Sequence, residues 1–377
     1  MSRARTTEAR MTEARIIDGD GHFVEPDATF RDFLPSKYAS YAPRVIQYDD
    51  HFRIAVNDNI SYRMMAKVDT LAAPGQTAKR TDAPQMAVGA SDPAGRIRDL
   101  DLEGFERAVL FPTYGLMVQG VTDRPAAAAL CRAINEWLAE FCRHDPYRLV
   151  GVATLPMLDV DDATAEARRA IEHDGFRAAF RRPEVIPGAP KVHDRAWDPL
   201  WAYLAEADVA LAIHPGLAGV VPYEFYKERF DDDFPTMHAT HFPVEAMMSL
   251  TSFIGFGILE RHPTLRLALL ESGAVWALPY VHRLDEHLEM FGLPGSLTMK
   301  PSEYFRRQCY VAVEEVEPGL DAFVREYPDN VLFASDYPHA DGTFPGAAKA
   351  LLDTDLLDDS TRWGLLRDNA IRLYGLE

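Results

Sequence analysis

The sequence predicts an α/β protein folded as a single (β/α)8 TIM barrel, with a lid-like insertion after the first strand. Three observations carry that reading. The chain has 377 residues, enough for one large barrel. From about residue 96 short apolar runs alternate with helical stretches, the pattern of a parallel sheet buried on both faces. Eight apolar runs can be counted, which favours a closed barrel over a doubly wound sheet. The rival fold would need a glycine-rich turn after its first strand. Gly19 and Gly21 do not form G-x-G-x-x-G ahead of a helix, so dinucleotide binding is not expected.

The elements follow in order. Residues 1–14 read as a flexible tail, and 15–377 as one barrel domain. The first strand covers 15–20. Residues 27 to about 95 break the pattern with Pro35, Pro43, Pro74, Pro84 and many polar side chains. Their one strand-like patch is Phe52-Arg53-Ile54-Ala55-Val56. An insertion this long suits a functional lid better than an ordinary connection. Further strands are expected at 108–111, 149–155, 176–180, 209–214, 265–270, 308–313 and 331–335. Helices are expected at 124–143, 160–173, 197–207, 243–260, 275–290, 317–326, 346–352 and 359–374.

Composition excludes several functions. There are 39 basic and 58 acidic residues, a formal charge of −19, which argues against a nucleic-acid or anionic-membrane surface. Cys131, Cys142 and Cys309 form no Cys-x-x-Cys pair, so neither a disulfide framework nor a zinc knuckle is expected. Met1 to Arg15 is polar and carries no secretory signal pattern, and no apolar run is long enough to span a membrane. The expectation is a cytoplasmic protein acting on a small molecule.

The chemistry is expected where the strands end, because a barrel of this kind places its site at the C-terminal ends of its strands. Asp20 and His22 end the first strand, His214 the fifth, Glu271 the sixth and Asp336 the eighth. Residues two apart on an extended segment point to one face, so Asp20 and His22 can grip one cation together. Imidazole with carboxylate suits zinc, and such a carboxylate-rich set also accepts manganese or iron. Three or four of these strand-end residues could therefore hold one divalent metal, with a position left open for water or substrate. Glu271 could ligate the metal or act as general base on a metal-bound water. Its bland alternative is to cap the helix beginning near Ala274. Arg181 and Arg182 follow the fourth strand, where Arg182 could fork a substrate carboxylate. His238 and His241 lie after the fifth strand, and His241 is a candidate acid or base. His339 could support Asp336 or contact substrate. Phe23, Tyr114, Trp276 and Phe344 could wall a pocket, with Trp276 taken as the substrate contact.

The stretches Ile17-Asp18-Gly19-Asp20-Gly21-His22-Phe23-Val24-Glu25-Pro26, Ile213-His214-Pro215-Gly216, Glu271-Ser272-Gly273-Ala274-Val275-Trp276 and Ala334-Ser335-Asp336-Tyr337-Pro338-His339 reach a known family. The chain resembles the amidohydrolase-related branch that contains aminocarboxymuconate-semialdehyde decarboxylase and the aromatic acid decarboxylases. The resemblance spans nearly the whole chain. It implies that His214 and Asp336 complete the metal set, and that a homodimer forms. Asp20 stands where His, or Glu in several decarboxylases, is usual, and Glu271 replaces a usual His. Two carboxylates in these places direct the first expectation to a metal-dependent hydrolase. It would act on a small cyclic or aromatic acid, amide or lactone, with Asp336 or Glu271 taking a proton from the water. Non-oxidative decarboxylation of an aromatic or unsaturated acid is the alternative. A barrel that only binds a ligand is the second.

Overall fold

Strand β1, Ile16–Phe23, is buried along its whole length. In the computed structural model, which describes residues 15–49, 51–57, 59–61, 64–65, 87–216, 221–339 and 342–376, β1 begins an eight-stranded parallel sheet. The expected tail, 1–14, and the stretch 66–86 lie outside the described residues. The insertion contributes a helix at Asp27–Phe33 and a small antiparallel sheet. Its strands are β2 (Arg44–Gln47), β3 (His51–Val56), β4 (Asn59–Ile60) and β5 (Met64–Met65). The barrel resumes with β6 (Phe105–Pro112), β7 (Leu149–Thr154), β8 (Ala178–Arg181) and β9 (Ala210–Ile213). It ends with β10 (Leu267–Leu269), β11 (Cys309–Val313) and β12 (Val331–Phe333). Neighbours pair in the order β1-β6-β7-β8-β9-β10-β11-β12. All eight expected barrel strands are present.

Period-two alternation divides the strand side chains. Val109, Val152, Phe180, Ala212, Ala268, Ala312 and Leu332 pack together inside the barrel. Leu110, Ala153, Ala179, Leu211, Leu269, Val311 and Val331 face the surrounding helices. The helix Asn369–Tyr374 adds Ala370, Leu373 and Tyr374 to the interior cluster, and the Tyr374 hydroxyl donates to the Gly19 carbonyl at 2.8 Å. Cys131, Cys142 and Cys309 are buried and unpaired.

The first and last strand segments meet through three contacts. The Asp336 N–H donates to the Asp20 carbonyl at 3.0 Å, and the His22 N–H to the Tyr337 carbonyl at 2.6 Å. The Asp18 carboxylate accepts from the Ser335 N–H at 2.9 Å and its hydroxyl at 2.6 Å. A side chain thus takes a place that a backbone carbonyl holds elsewhere in the sheet.

The helical connections depart from expectation in places. The helix expected at 243–260 starts earlier, running Phe234–Gly255 through Pro243, with a separate turn at Ile258–Arg261. Pro243 looks like a first-turn residue in sequence, yet the helix carries it inside. Helices at Pro93–Glu103, Val221–Phe230 and Pro301–Gln308 were not expected. No described helix is long and apolar enough to cross a membrane.

Candidate metal centre

The site begins with a bulge in β1. Asp18 pairs with Ala108 and Gly21 with Leu110, so β1 spends one more residue than β6 over this step. Such an extra residue re-aims the side chains after it. Beyond the bulge His22 pairs with Phe111, and Asp20 and His22 share a face. His214 directly follows β9, and Asp336 lies three residues after β12. Asp336 has φ 52° and Glu271 φ 49°. A left-handed backbone is costly for residues with a Cβ, and such strain gathers at functional sites.

These turns bring four expected residues together. His214 Nε2 lies 3.2 Å from His22 Nε2 and 3.4 Å from Asp20 Oδ1. His22 Nε2 lies 3.3 Å from Asp336 Oδ1 and 3.7 Å from Asp20 Oδ1. All four residues are buried. The tautomers follow from the other ring nitrogens. His22 Nδ1 is 3.0 Å from the Pro112 carbonyl, and His214 Nδ1 is 2.8 Å from the Pro215 carbonyl. A carbonyl only accepts, so each Nδ1 carries the proton and each Nε2 presents a lone pair. Burial, and then the neighbouring His339 and His214, hold His22 well below the usual histidine range, which keeps its ring neutral.

Around His22 Nε2 there thus gather the His214 Nε2 lone pair and two carboxylate oxygens, Asp20 Oδ1 and Asp336 Oδ1. Asp20 Oδ1 is buried and meets no hydrogen-bond donor among the described residues. Acceptors crowded in this way repel one another unless a cation sits among them, and the donor set is that of a divalent metal. Among the described residues two overlapping groups have ligand atoms all within 4.8 Å: Asp20, His22 and His214, and His22, Asp336 and His339. The second adds His339, whose Nδ1 is 2.7 Å from Asp336 Oδ1. Its ring lies against that of His22, tilted by 31° with centroids 4.0 Å apart, and its Nε2 meets the Thr113 hydroxyl at 3.0 Å.

Other expected site residues lie elsewhere. Glu271 Oε2 is 3.5 Å from His214 Nδ1, the ring nitrogen turned away from the cluster. Glu271 thus stands behind a candidate ligand, and neither ligand group includes it. The helix cap considered for it belongs to Glu317, whose carboxylate accepts from the Ala274 and Val275 N–H groups at 3.0 Å. Arg182 spends its fork on Glu184, at 2.9 Å and 2.6 Å, and also donates to the Gly216 carbonyl at 2.9 Å. His241 is buried with Nε2 3.0 Å from Glu184 Oε1, so it belongs to that ion-pair group. Burial alone would raise Glu184, but Arg182 and His241 outweigh it and bring the carboxyl down to about 2. Trp276 caps the start of the helix Ala277–Phe291, its indole N–H on the Gly273 carbonyl at 2.9 Å. Glu25 accepts the Thr113, Tyr114 and Gly115 N–H groups at 3.2, 2.9 and 2.7 Å. It holds the loop after β6.

Residues that the sequence reading passed over support the ligands. Asp18 lies within the quoted first-strand stretch and alternates with Asp20, so it was within reach of a strand-face argument. Arg96 comes from the helix Pro93–Glu103 and donates to the His22 carbonyl; no spacing pointed to it.

The amidohydrolase family model matches residues 17–376. The chain belongs to the amidohydrolase family. It is 27% identical over 299 residues to the γ-resorcylate decarboxylase of Rhizobium radiobacter, covering 75% of this chain and 86% of that one. It is 22% identical over 293 residues to the 2-amino-3-carboxymuconate-6-semialdehyde decarboxylase of Dictyostelium discoideum, covering 76% and 77%. Among solved structures, an amidohydrolase of Mycobacterium avium subsp. paratuberculosis superposes with a TM-score of 0.78 at 22% identity, over 96% of this chain and 99% of that one. A dihydroxybenzoic acid decarboxylase of Polaromonas sp. JS666, solved with manganese and 2-nitroresorcinol, gives 0.69 at 20% identity, over 96% and 97%. This amidohydrolase is an enzyme with the barrel of those structures.

Proposed function

We propose that this amidohydrolase is a divalent-metal-dependent, non-oxidative decarboxylase of a small aromatic or unsaturated acid. The observation that carries the reading is the buried cluster of acceptors around His22 Nε2, which has His214 Nε2, Asp336 Oδ1 and Asp20 Oδ1 at 3.2, 3.3 and 3.7 Å. The names of the relatives support carbon–carbon cleavage over the hydrolysis first expected. So does the position of Glu271, which faces His214 Nδ1 and is poorly placed to serve a water on the far side of that ring.

Asp20, His22, His214 and Asp336 would hold the ion, zinc or manganese by donor type. When bound it supplies positive charge that holds an anionic, oxygen-bearing substrate. The protein's own groups handle the proton. The His339 side chain is 18% exposed and Asp336 only 3%, so His339 is the part of the cluster nearer solvent. It can take up a proton and pass it across 2.7 Å to Asp336. Asp336 delivers that proton to the ring carbon bearing the carboxylate. The carbon–carbon bond then breaks, its electron pair stays on the ring, and carbon dioxide leaves. Proton in and carbon dioxide out balance the step without an oxidant.

The test is carbon dioxide release from a panel of hydroxybenzoates by protein loaded with manganese or zinc. Release supports the proposal. Hydrolysis of lactones or amides with no release would return the function to the hydrolytic reading. Less than about a tenth of an equivalent of bound metal after metal-replete expression would leave a ligand-binding barrel.

A further inference from the structure

We infer that Arg96 is a positioning residue for the metal centre, pinning the junction of the first and last strands so that His22 and Asp336 meet. The inference rests on the metal-site reading above.

Arg96 is 1% exposed. It is drawn into the barrel wall from a helix that follows the insertion. Its guanidinium touches both sides of the junction. On the first strand, one terminal nitrogen donates to the His22 carbonyl, the main-chain oxygen of a candidate ligand. On the last, the guanidinium carbon lies 4.6 Å over the Tyr337 ring. Tyr337 follows Asp336, and its carbonyl accepts from the His22 N–H. Arg96 Nε donates to the Gly89 carbonyl at 2.9 Å, which fixes the plane of the fork. The Tyr337 hydroxyl in turn donates to Asp99, one helical turn from Arg96. One planar cation thus binds the residue that bears one candidate ligand and the neighbour of another.

The geometry needs arginine. Lysine is a point charge, and it can neither lie flat on a ring nor direct two donors along fixed lines at once. A buried arginine is costly, and a merely space-filling role would be served by an apolar chain of like volume. Groups that orient metal ligands typically change metal affinity by about 10- to 100-fold when removed.

The experiment titrates full-length, metal-stripped protein with Mn2+ against a chelator of known affinity, for wild type, Arg96→Lys and Arg96→Met. Thermal unfolding of the same metal-free proteins is recorded beside it. The expected result is Mn2+ binding weakened about 10- to 100-fold in Arg96→Met. Arg96→Lys should also bind more weakly than wild type, and the spectrum of bound Mn2+ should differ between the two. Variants that melt lower but bind Mn2+ within about twofold of wild type would overturn the inference, since a purely structural role predicts that outcome. If neither Arg96 variant is soluble, Tyr337→Leu removes the ring beneath the guanidinium and is read the same way. Wild type that binds neither Mn2+ nor Zn2+ would sink the metal-site reading and this inference with it. Wild type that binds while the variants bind equally sinks only the positioning role.

Discussion

His22 and His214 face each other Nε2 to Nε2 at 3.2 Å, each with its other nitrogen committed to a backbone carbonyl. Neither ring can turn its proton inward without breaking that bond. A bound divalent ion should therefore stabilise the fold strongly. At 100 times its Kd a ligand specific for the folded state adds about 2.7 kcal/mol. Melting with EDTA and with Mn2+ should differ by several degrees for wild type, and the difference should vanish in His22→Ala and His214→Ala.

Asp336 Oδ1 also lies at hydrogen-bond distance, 2.7 Å, from His339 Nδ1. Asp336→Asn should lower kcat by roughly 10²- to 10⁴-fold, the usual worth of a positioned acid or base, with unchanged far-UV circular dichroism. A variant within tenfold of wild type would show that the proton is handled elsewhere.

Glu271 separates the two reaction classes. Glu271→Gln should keep decarboxylation within about 100-fold of wild type, because its carboxylate stands behind His214. A loss as deep as that of Asp336→Asn, measured on the same substrate, would restore it as a general base.

Glu184 governs acid stability near the site. Its carboxyl is lowered from 4.5 to about 2, so between those values the unfolded chain binds the proton more readily than the folded one. The stability it contributes is fully present above pH 4.5 and is lost as pH falls toward 2, on the order of 3 kcal/mol in all. Urea unfolding of Glu184→Gln should show a flatter pH dependence across that window. At neutral pH it should show a loss of about 3–5 kcal/mol, because the buried Arg182 loses the opposite charge beside it.

Gly19 lies within the bulge and against the last strand. A Cβ there would meet Leu332 Cδ1 at 2.1 Å and the Phe333 carbonyl at 3.0 Å. Leucine can swing aside but the carbonyl cannot. Gly19→Ala should cost about 1–3 kcal/mol and should weaken Mn2+ binding, read by the same chelator competition.

The strands were legible because burial on both faces writes continuous apolar runs, and their ends were legible because polar residues stop those runs. Asp20, His22, His214 and Asp336 could be placed on that basis. The roles of Arg182, His241 and Glu271 could not. Each is decided by a partner, Glu184 or His214, that lies within reach only after folding. The helix Pro301–Gln308 carried readable signals, with Pro301 at its first position and Glu303 accepting the Lys300 N–H at 2.8 Å. The helix Val221–Phe230 mixes aromatic and charged residues on all sides and offers no periodic face to read. Arg96 was out of reach because its partners, His22 and Tyr337, are distant in sequence and lie on different strands.

The meeting of β1 with the last strand also sets the order in which this enzyme can be made. Asp18 with Ser335, Asp20 with Asp336 and His22 with Tyr337 each join residues more than 300 positions apart. Contacts of such long sequence separation form late. A chain emerging from the ribosome holds its first-strand donors open until the eighth barrel strand has been translated and docked. Catalytic activity is therefore a gauge of completed folding: no amino-terminal fragment should possess it, however well its early strands and helices assemble.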